Sequence, residues 1–174
     1  QIDLANSLLF SLPGSPILYY GDEIGMGDDI SLPDRNGVRT PMQWDNSPRA
    51  GFSEAPVENL YAPLVSSPGF KPAQVNVADQ LEDPGSLLNT VKHMIHTRKS
   101  FPALGTGSFK WAEDLASKQP NPIAAYYRDK DQEKLLIINN LSPQVQSCSF
   151  QLPEAAAVKP VIGESTFSLE NNQL

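Results

Sequence analysis

Two short stretches carry the side chains that could do chemistry: YYGDEIGMGD, with Tyr19, Asp22 and Glu23, and SLPDRNGVRTPMQW, with Arg35, Arg39, Gln43 and Trp44. Paired carboxyl groups are the equipment of glycosidic-bond cleavage. Side chains of adjacent residues in extended backbone point to opposite sides, however, so Asp22 and Glu23 are not expected to flank one bond as acid and nucleophile. The glycines from Gly21 to Gly27 suit a turn that needs positive φ, and the carboxylates suit anchoring of the loop that follows. Arginine offers a planar fork of donors matching carboxylates and vicinal hydroxyls, while Trp and Tyr supply flat faces on which sugar rings stack. The second stretch therefore suits a neutral, polyhydroxylated substrate; the alternative for its arginines and Trp44 is that they pin a long loop in place. His93 and His96, three apart, could share a metal, but no third ligand follows at a matching spacing and the default is two surface histidines. Cys148, the single cysteine, lies in the alternating stretch VQSCSFQL and reads as a half-buried strand thiol with no internal disulfide partner.

Three zones must position these residues. In residues 1–27, Ile2, Leu4, Ala5, Leu8 and Leu9 recur at helical spacing until Pro13-Gly14-Ser15-Pro16 stops the helix. The apolar run Ile17-Leu18-Tyr19-Tyr20 then reads as a strand buried on both faces, which makes half of an alternating α/β unit. Gly21, Asp22 and Glu23 follow its C-terminal end, the edge where ligands bind in such sheets and barrels. Residues 28–83 form a long loop whose aromatics (Trp44, Phe52, Tyr61, Phe70) argue for order. A helix is predicted over 84–101, with Asp83 as N-cap, Pro84 first, an apolar stripe of Leu87, Leu88, Val91, Met94 and Ile95, and Arg98 and Lys99 at its C-terminus. Beyond Gly105 the period becomes two: GSFKW, IAAYYR, KLLIINN, VQSCSFQL and TFSLE read as strands of an antiparallel β-sandwich.

Composition narrows the partners. The 174 residues are 40% hydrophobic and 19% charged, with a net charge of 13 − 20 = −7, which fits a soluble cytoplasmic protein and argues against nucleic acid. No apolar run approaches the roughly 20 residues that span a bilayer, and no basic segment precedes the first apolar stretch. The 16 prolines exceed the background of about 5%, and seven of them fall in the long loop.

PGSPILYYGDEIGMGD followed by DRNGVRTPMQWDNSPRAGFS resembles the last barrel strand, and the loop after it, of the α-amylase superfamily (glycoside hydrolase family 13). RTPMQW with the later AGF resembles the branch that holds oligo-1,6-glucosidases, α-glucosidases, sucrose isomerases and trehalose synthases. The short link of residues 28–33 between the two motifs is similar to that of the trehalose synthase (maltose α-D-glucosyltransferase) members, where other members carry a helical insertion. The resemblance implies residues 1–102 as the C-terminal piece of a (β/α)8 TIM barrel with a substrate-side loop over 28–83, and residues 103–174 as a truncated β-sandwich domain. It implies interconversion of maltose and trehalose by intramolecular glucosyl transfer with retention. Arg35 resembles the arginine that hydrogen-bonds the glucosyl unit at the −1 subsite. Tyr19, Asp22 and Glu23 resemble strand-end residues that support the site, and Arg39, Gln43 and Trp44 are assigned to holding the loop over the pocket.

The departure from the family pattern is large: the motifs of the nucleophilic aspartate, the acid/base glutamate and the third aspartate are absent from this sequence. The expectation is a C-terminal fragment with no catalytic residue, inert alone, holding no cofactor, with any calcium site in the missing upstream part. A strand at 17–20 without barrel neighbours would have to pair irregularly or across a homodimer. Two alternatives stand beside this reading: a fragment of a related α-glucosidase-type hydrolase, and a non-catalytic carbohydrate-binding or interaction module.

Overall fold

Helix α1 (Ile2–Ser11) heads the chain in the computed structural model, which describes residues 2–113, 115–116, 122–152, 158–163, 166–170 and 173–174. The backbone separates into two units: Gln1–Pro16 with Met94–Leu174, and Ile17–His93.

In the first unit, strands β1 (Ser108–Trp111), β3 (Ile123–Lys130) and β4 (Glu133–Asn140) form an antiparallel sheet in the order β1-β3-β4. Lys130 pairs with Glu133 across a two-residue turn in which Asp131 takes a left-handed φ of 54°, a conformation Asp tolerates better than most residues. The central strand β3 is buried on both faces, with Ala125, Tyr126, Tyr127 and Arg128 all under 9% exposed. Alternation sorts these four. Ala125 and Tyr127 pack with Ala112 and Phe150, and with half-buried Ile123, Leu136, Cys148, Leu152 and Leu174. Phe150 belongs to β5 (Ser149–Phe150), which pairs antiparallel with β2 (Leu115–Ala116) and exchanges backbone hydrogen bonds of 2.9 Å with Leu174.

On the opposite face Tyr126 and Arg128 meet α1. Ser7 Oγ donates to Asn139 Oδ1 on β4 at 2.7 Å. Ser11 Oγ spends its single proton on the Ser7 carbonyl, so the Tyr126 hydroxyl is the donor in its 2.6 Å contact with Ser11 Oγ. The face of α1 that is buried is therefore Asn6, Phe10 and Ser11, whereas Ile2 and Leu9 of the expected apolar stripe are 53% and 37% exposed. Polar partners on the sheet, rather than apolar area, set the rotation of this helix.

Helix α1 carries no basic residue in its last turn, and two arginines from elsewhere supply donors for its terminal carbonyls. Arg98 donates to the Phe10 carbonyl at 2.5 Å and to that of Gly14 at 2.6 Å. Arg128, 1% exposed, donates through Nη1 to the Ser11 carbonyl at 2.6 Å, through Nη2 to Gly107 at 3.1 Å and through Nε to Ser108 at 3.2 Å. Burial, joined by the nearby Arg98 charge, holds the Arg128 pKa below the ordinary arginine value.

Phe101-Pro102 breaks one helix and opens another: Pro102 stands at the start of α4 (Pro102–Thr106), an element absent from the sequence reading. The Ala103 amide at its N-terminus donates to Glu133 Oε2 at 2.6 Å. At Gly107, where α4 gives way to β1, an added Cβ would lie 2.4 Å from the Ala103 carbonyl oxygen and 2.7 Å from that of Asp129, both backbone atoms.

The second unit is loop-rich. The strand expected over Ile17–Tyr20 is not formed: the segment is irregular, and Ile17 is 84% exposed. A ladder needs a neighbouring strand, and none is described beside it. The only regular α-helices here are α2 (Val77–Glu82) and the first part of α3 (Leu87–Ser100). Helix α3 starts three residues later than the sequence suggests. Asp83 Oδ1 accepts from the Gly85 amide at 2.9 Å, closing a turn, and Ser86 Oγ, buried, accepts from the Asn89 amide as the cap. Along α3, Val91 is buried, Leu87, Leu88, Met94 and Ile95 are half-buried, and His93 and His96 are exposed.

The β zone thus resolves, among the described residues, into a three-stranded antiparallel sheet plus the β2–β5 pair. VQSCSFQL is a strand only at Ser149–Phe150, and Val145 is 96% exposed. In TFSLE only Glu170 makes a bridge, to Gln173. No helix among the described residues is long and apolar enough to cross a membrane.

Replacing Arg128 with Met leaves three backbone carbonyls without their donor and should lower the unfolding free energy by about 3 kcal/mol, measured by urea denaturation. Gly107→Ala, forced against two carbonyl oxygens, should cost at least about 1–3 kcal/mol in the same measurement, while Gly105→Ala, whose Cβ meets nothing within 4 Å, should not destabilise.

Candidate functional site

The GDEIG segment folds as a single 3-10 turn, Asp22–Ile24, bracketed by Gly21 (φ 94°) and Gly25 (φ 69°), both left-handed. At Gly21 an added Cβ would also lie 2.9 Å from Met26 Cβ. The carboxylates serve the turn itself: Asp22 Oδ2 accepts from the Tyr19 amide at 3.0 Å and Glu23 Oε2 from the Gly21 amide at 2.8 Å. Ile24 is 2% exposed beneath the turn, and its carbonyl accepts from Gln80 Nε2 at 2.7 Å. The same Gln80 accepts through Oε1 from the Leu88 amide at 3.0 Å, so one side chain ties the turn to the start of α3.

The RTPMQW segment is the buried centre of its unit. Thr40 and Gln43 are fully buried and Met42 is 5% exposed. Its attachments are mostly backbone. The Gln43 carbonyl accepts from the Val77 amide at 3.0 Å and the Trp44 carbonyl from Ala78 at 2.9 Å, so two N-terminal amides of α2 are satisfied by this loop. Asn76, 1% exposed, caps the same helix, accepting from the Asp79 amide at 2.8 Å while its Nδ2 donates to the Pro72 carbonyl and the Asp79 carboxylate. Gln43 Nε2 donates to the Val75 carbonyl. On the other side the Tyr20 hydroxyl donates to the Thr40 carbonyl at 2.9 Å and the Tyr61 hydroxyl to that of Arg39. Thr40 Oγ1 and Gln43 Oε1 are buried and have no hydrogen-bond partner among the described residues.

Arg35 and Arg39 lie on a 3-10 segment, Asp34–Arg39, and both are exposed. Arg35 Nε stands 3.6 Å from Asp34 Oδ2, the one ion pair among the described residues. Trp44 and Tyr19 are half-exposed, 50% and 45%, with the Tyr19 ring 4.7 Å from that of Tyr20 and tilted 36° to it. The structure therefore joins Asp22 to Tyr19, and Gln43 and Trp44 to α2. It describes no hydrogen bond or ion pair between Arg35 and Tyr19, Asp22 or Glu23. No group of three His, Cys, Asp or Glu side chains among the described residues could hold a metal ion. Cys148 is a free, half-buried thiol whose pKa burial pushes up.

Sequence reasoning missed Asn76, Gln80, Tyr20 and Tyr61. Asn76 was within reach, because Asn76 and Asp79 have the three-residue spacing of a capping box. Gln80 and the two tyrosines act on backbone atoms 22 to 56 residues away in Tyr61 and Gln80, and 20 away in Tyr20, and carry no local signal.

Comparison with known proteins adds the family. The model of the α-amylase catalytic domain matches residues 1–107, and that of the α-amylase SusG C-terminal domain matches residues 123–174. A trehalose synthase of Pimelobacter sp. (strain R48) is 45% identical over 165 residues, which cover 92% of this chain and 28% of that protein. A trehalose synthase/amylase of Mycobacterium tuberculosis (strain H37Rv) is 43% identical over 164 residues, 92% of this chain and 27% of that protein. The chain thus spans little more than a quarter of the length of these relatives. The crystal structure of an isomaltulose synthase from Erwinia rhapontici NX5 in complex with D-glucose shares the fold, with a TM-score of 0.73 over 99% of this chain and 35% of that one at 24% identity. With the catalytic-domain model matched over more than half of its length, the chain belongs to the α-amylase family.

Proposed function

We propose that this chain is the C-terminal part of an enzyme that interconverts maltose and trehalose by intramolecular α-glucosyl transfer with retention. The observation that carries the reading is the motif pair GDEIGM and DRNGVRTPMQW joined by only residues 28–33, in a chain 45% identical to a trehalose synthase. Residues 1–102 are read as the closing piece of the catalytic (β/α)8 barrel and residues 103–174 as a β-sandwich domain. The two family models, ending at residue 107 and resuming at 123, support a division in that region. The lone cysteine and acidic composition support a cytoplasmic setting.

Within this reading Arg35 binds the glucosyl unit. Its exposure and its terminal nitrogens, which have no partner among the described residues, support the role, since the guanidinium fork suits a pair of vicinal hydroxyls. Tyr19, Asp22 and Glu23 shape the turn at Asp22–Ile24, and Gln43 and Trp44 seat the loop through their carbonyls at α2. Arg39 holds the loop through its own carbonyl and Tyr61. Asp22 and Glu23 each accept a backbone amide of their own turn and are not read as a nucleophile and acid pair, so the chemistry is assigned to carboxylates outside this sequence.

Maltose incubated with the complete polypeptide, followed by NMR of the anomeric protons, should yield trehalose, and the 174-residue chain alone should yield nothing. Glucose as the only product would replace the reading with that of a hydrolase, and turnover by the short chain would place carboxylate chemistry within it. In the complete polypeptide Arg35→Ala should lower kcat/KM for maltose about ten- to 150-fold, the equivalent of about 1.5–3 kcal/mol for a charged hydrogen bond.

A further inference from the structure

We infer that Asp34 is a positioning residue for Arg35, holding the guanidinium by its inner edge so that the outer fork is presented to the sugar; this rests on the reading of Arg35 as the glucosyl-binding residue. Regular backbone does not bring side chains i and i+1 face to face. Asp34 meets Arg35 because its φ is 52°, one of three positive values among the described non-glycine residues. It adopts this left-handed state directly after extended Pro33 (φ −71°, ψ 151°) and at the first position of the 3-10 segment. The unfavourable conformation swings the carboxylate back beside its neighbour, and the resulting contact is on Nε, at 3.6 Å.

The choice of nitrogen matters. With Nε beside the carboxylate, Nη1 and Nη2 form the free edge, and no partner is described for either. That edge carries the parallel N–H groups that fit two adjacent hydroxyls. Both side chains are largely exposed, 67% for Arg35 and 81% for Asp34, so the pair contributes little to stability. Its effect is directional. The segment that bears the pair is itself fixed: the Gly37 carbonyl accepts from the Asp29 amide at 3.1 Å, and an added Cβ at Gly37 would lie 2.5 Å from the Asp29 carbonyl oxygen. A seated turn with a left-handed first residue gives Arg35 a preset aim.

The test uses the complete polypeptide with Asp34→Asn, Asp34→Gly, Arg35→Ala and the double variant Asp34→Asn/Arg35→Ala, measuring kcat and KM for maltose separately, together with the thermal midpoint. Asp34→Asn keeps a residue that tolerates the left-handed backbone and removes the charge; it should lower kcat about three- to tenfold with the midpoint unchanged. Asp34→Gly, which relieves the backbone while removing the carboxylate, should lose activity to the same degree. In the Arg35→Ala background, Asp34→Asn should have no further effect. Full activity of Asp34→Asn beside a damaged Arg35→Ala overturns the inference alone, as does an Asp34→Asn defect that persists undiminished without Arg35. Full activity of Arg35→Ala overturns the substrate role of Arg35 and this inference with it.

Discussion

The unit built around the three-stranded sheet depends on one buried guanidinium. Arg128 projects from the middle of β3 and reaches three carbonyl oxygens: Ser11 at the end of α1, Gly107 at the end of α4 and Ser108 at the start of β1. Ser11 and Gly107 carry helix-terminal carbonyls, and buried acceptors of that kind must be satisfied; Ser108 opens the strand that pairs with Asp129. A planar group with five donors in a fixed fork serves several at once, which a lysine ammonium on a flexible stem does not. Tyr126, two residues away on the same face, adds a hydroxyl to Ser11, and Arg98 takes the carbonyls of Phe10 and Gly14 on either side of it. The helix lies on the sheet by polar contacts at its C-terminal end, and the apolar core sits on the other face around Phe150.

The loop-rich unit is held differently. Its fully buried residues include Thr40, Gln43 and Asn76, and most of the contacts that close it run from side chain to backbone or from backbone to backbone across long sequence distances. Helix α2 is only six residues long, too short to be stable by itself, yet its first amides are met by Gln43, Trp44 and Asn76. Two tyrosine hydroxyls on one side and a helix terminus on the other hold the backbone carbonyls of Arg39, Thr40, Gln43 and Trp44, a stretch that leaves the 3-10 segment and has no regular structure beyond it.

Much of the organisation was legible in the sequence, and the failures share a cause. The change to a period of two marked β1, β3 and β4, although β3 proved to be buried on both faces. The helix over α3 was visible from its stripe, although Ser86, not Asp83, caps it; both are good caps, and only tertiary contacts from Gln80 and Asn89 choose between them. The strand at Ile17–Tyr20 was misread because an apolar run reports what a segment can bury, not whether neighbours are present to bury it. Helix α1 was found but its orientation was not, since Ser7 and Ser11 face the sheet through hydrogen bonds that hydrophobic spacing ignores. At the candidate site, Arg35 and the RTPMQW segment stood out by composition, whereas the left-handed backbone at Asp34 could not be read from a residue type that tolerates many conformations.

The counter-charge of Arg128 is made of backbone dipoles. Among the described residues the charged or titratable neighbours that act on it are Arg98 and Tyr126, with no carboxylate among them. An arginine held by Asp or Glu loses its partner when acid protonates the carboxyl group, and many proteins come apart in acid for that reason. Here the acceptors have no proton to gain at ordinary acidity. The centre of this unit is therefore a cation whose grip does not titrate, and any weakness the protein shows toward low pH must originate at other positions in the chain.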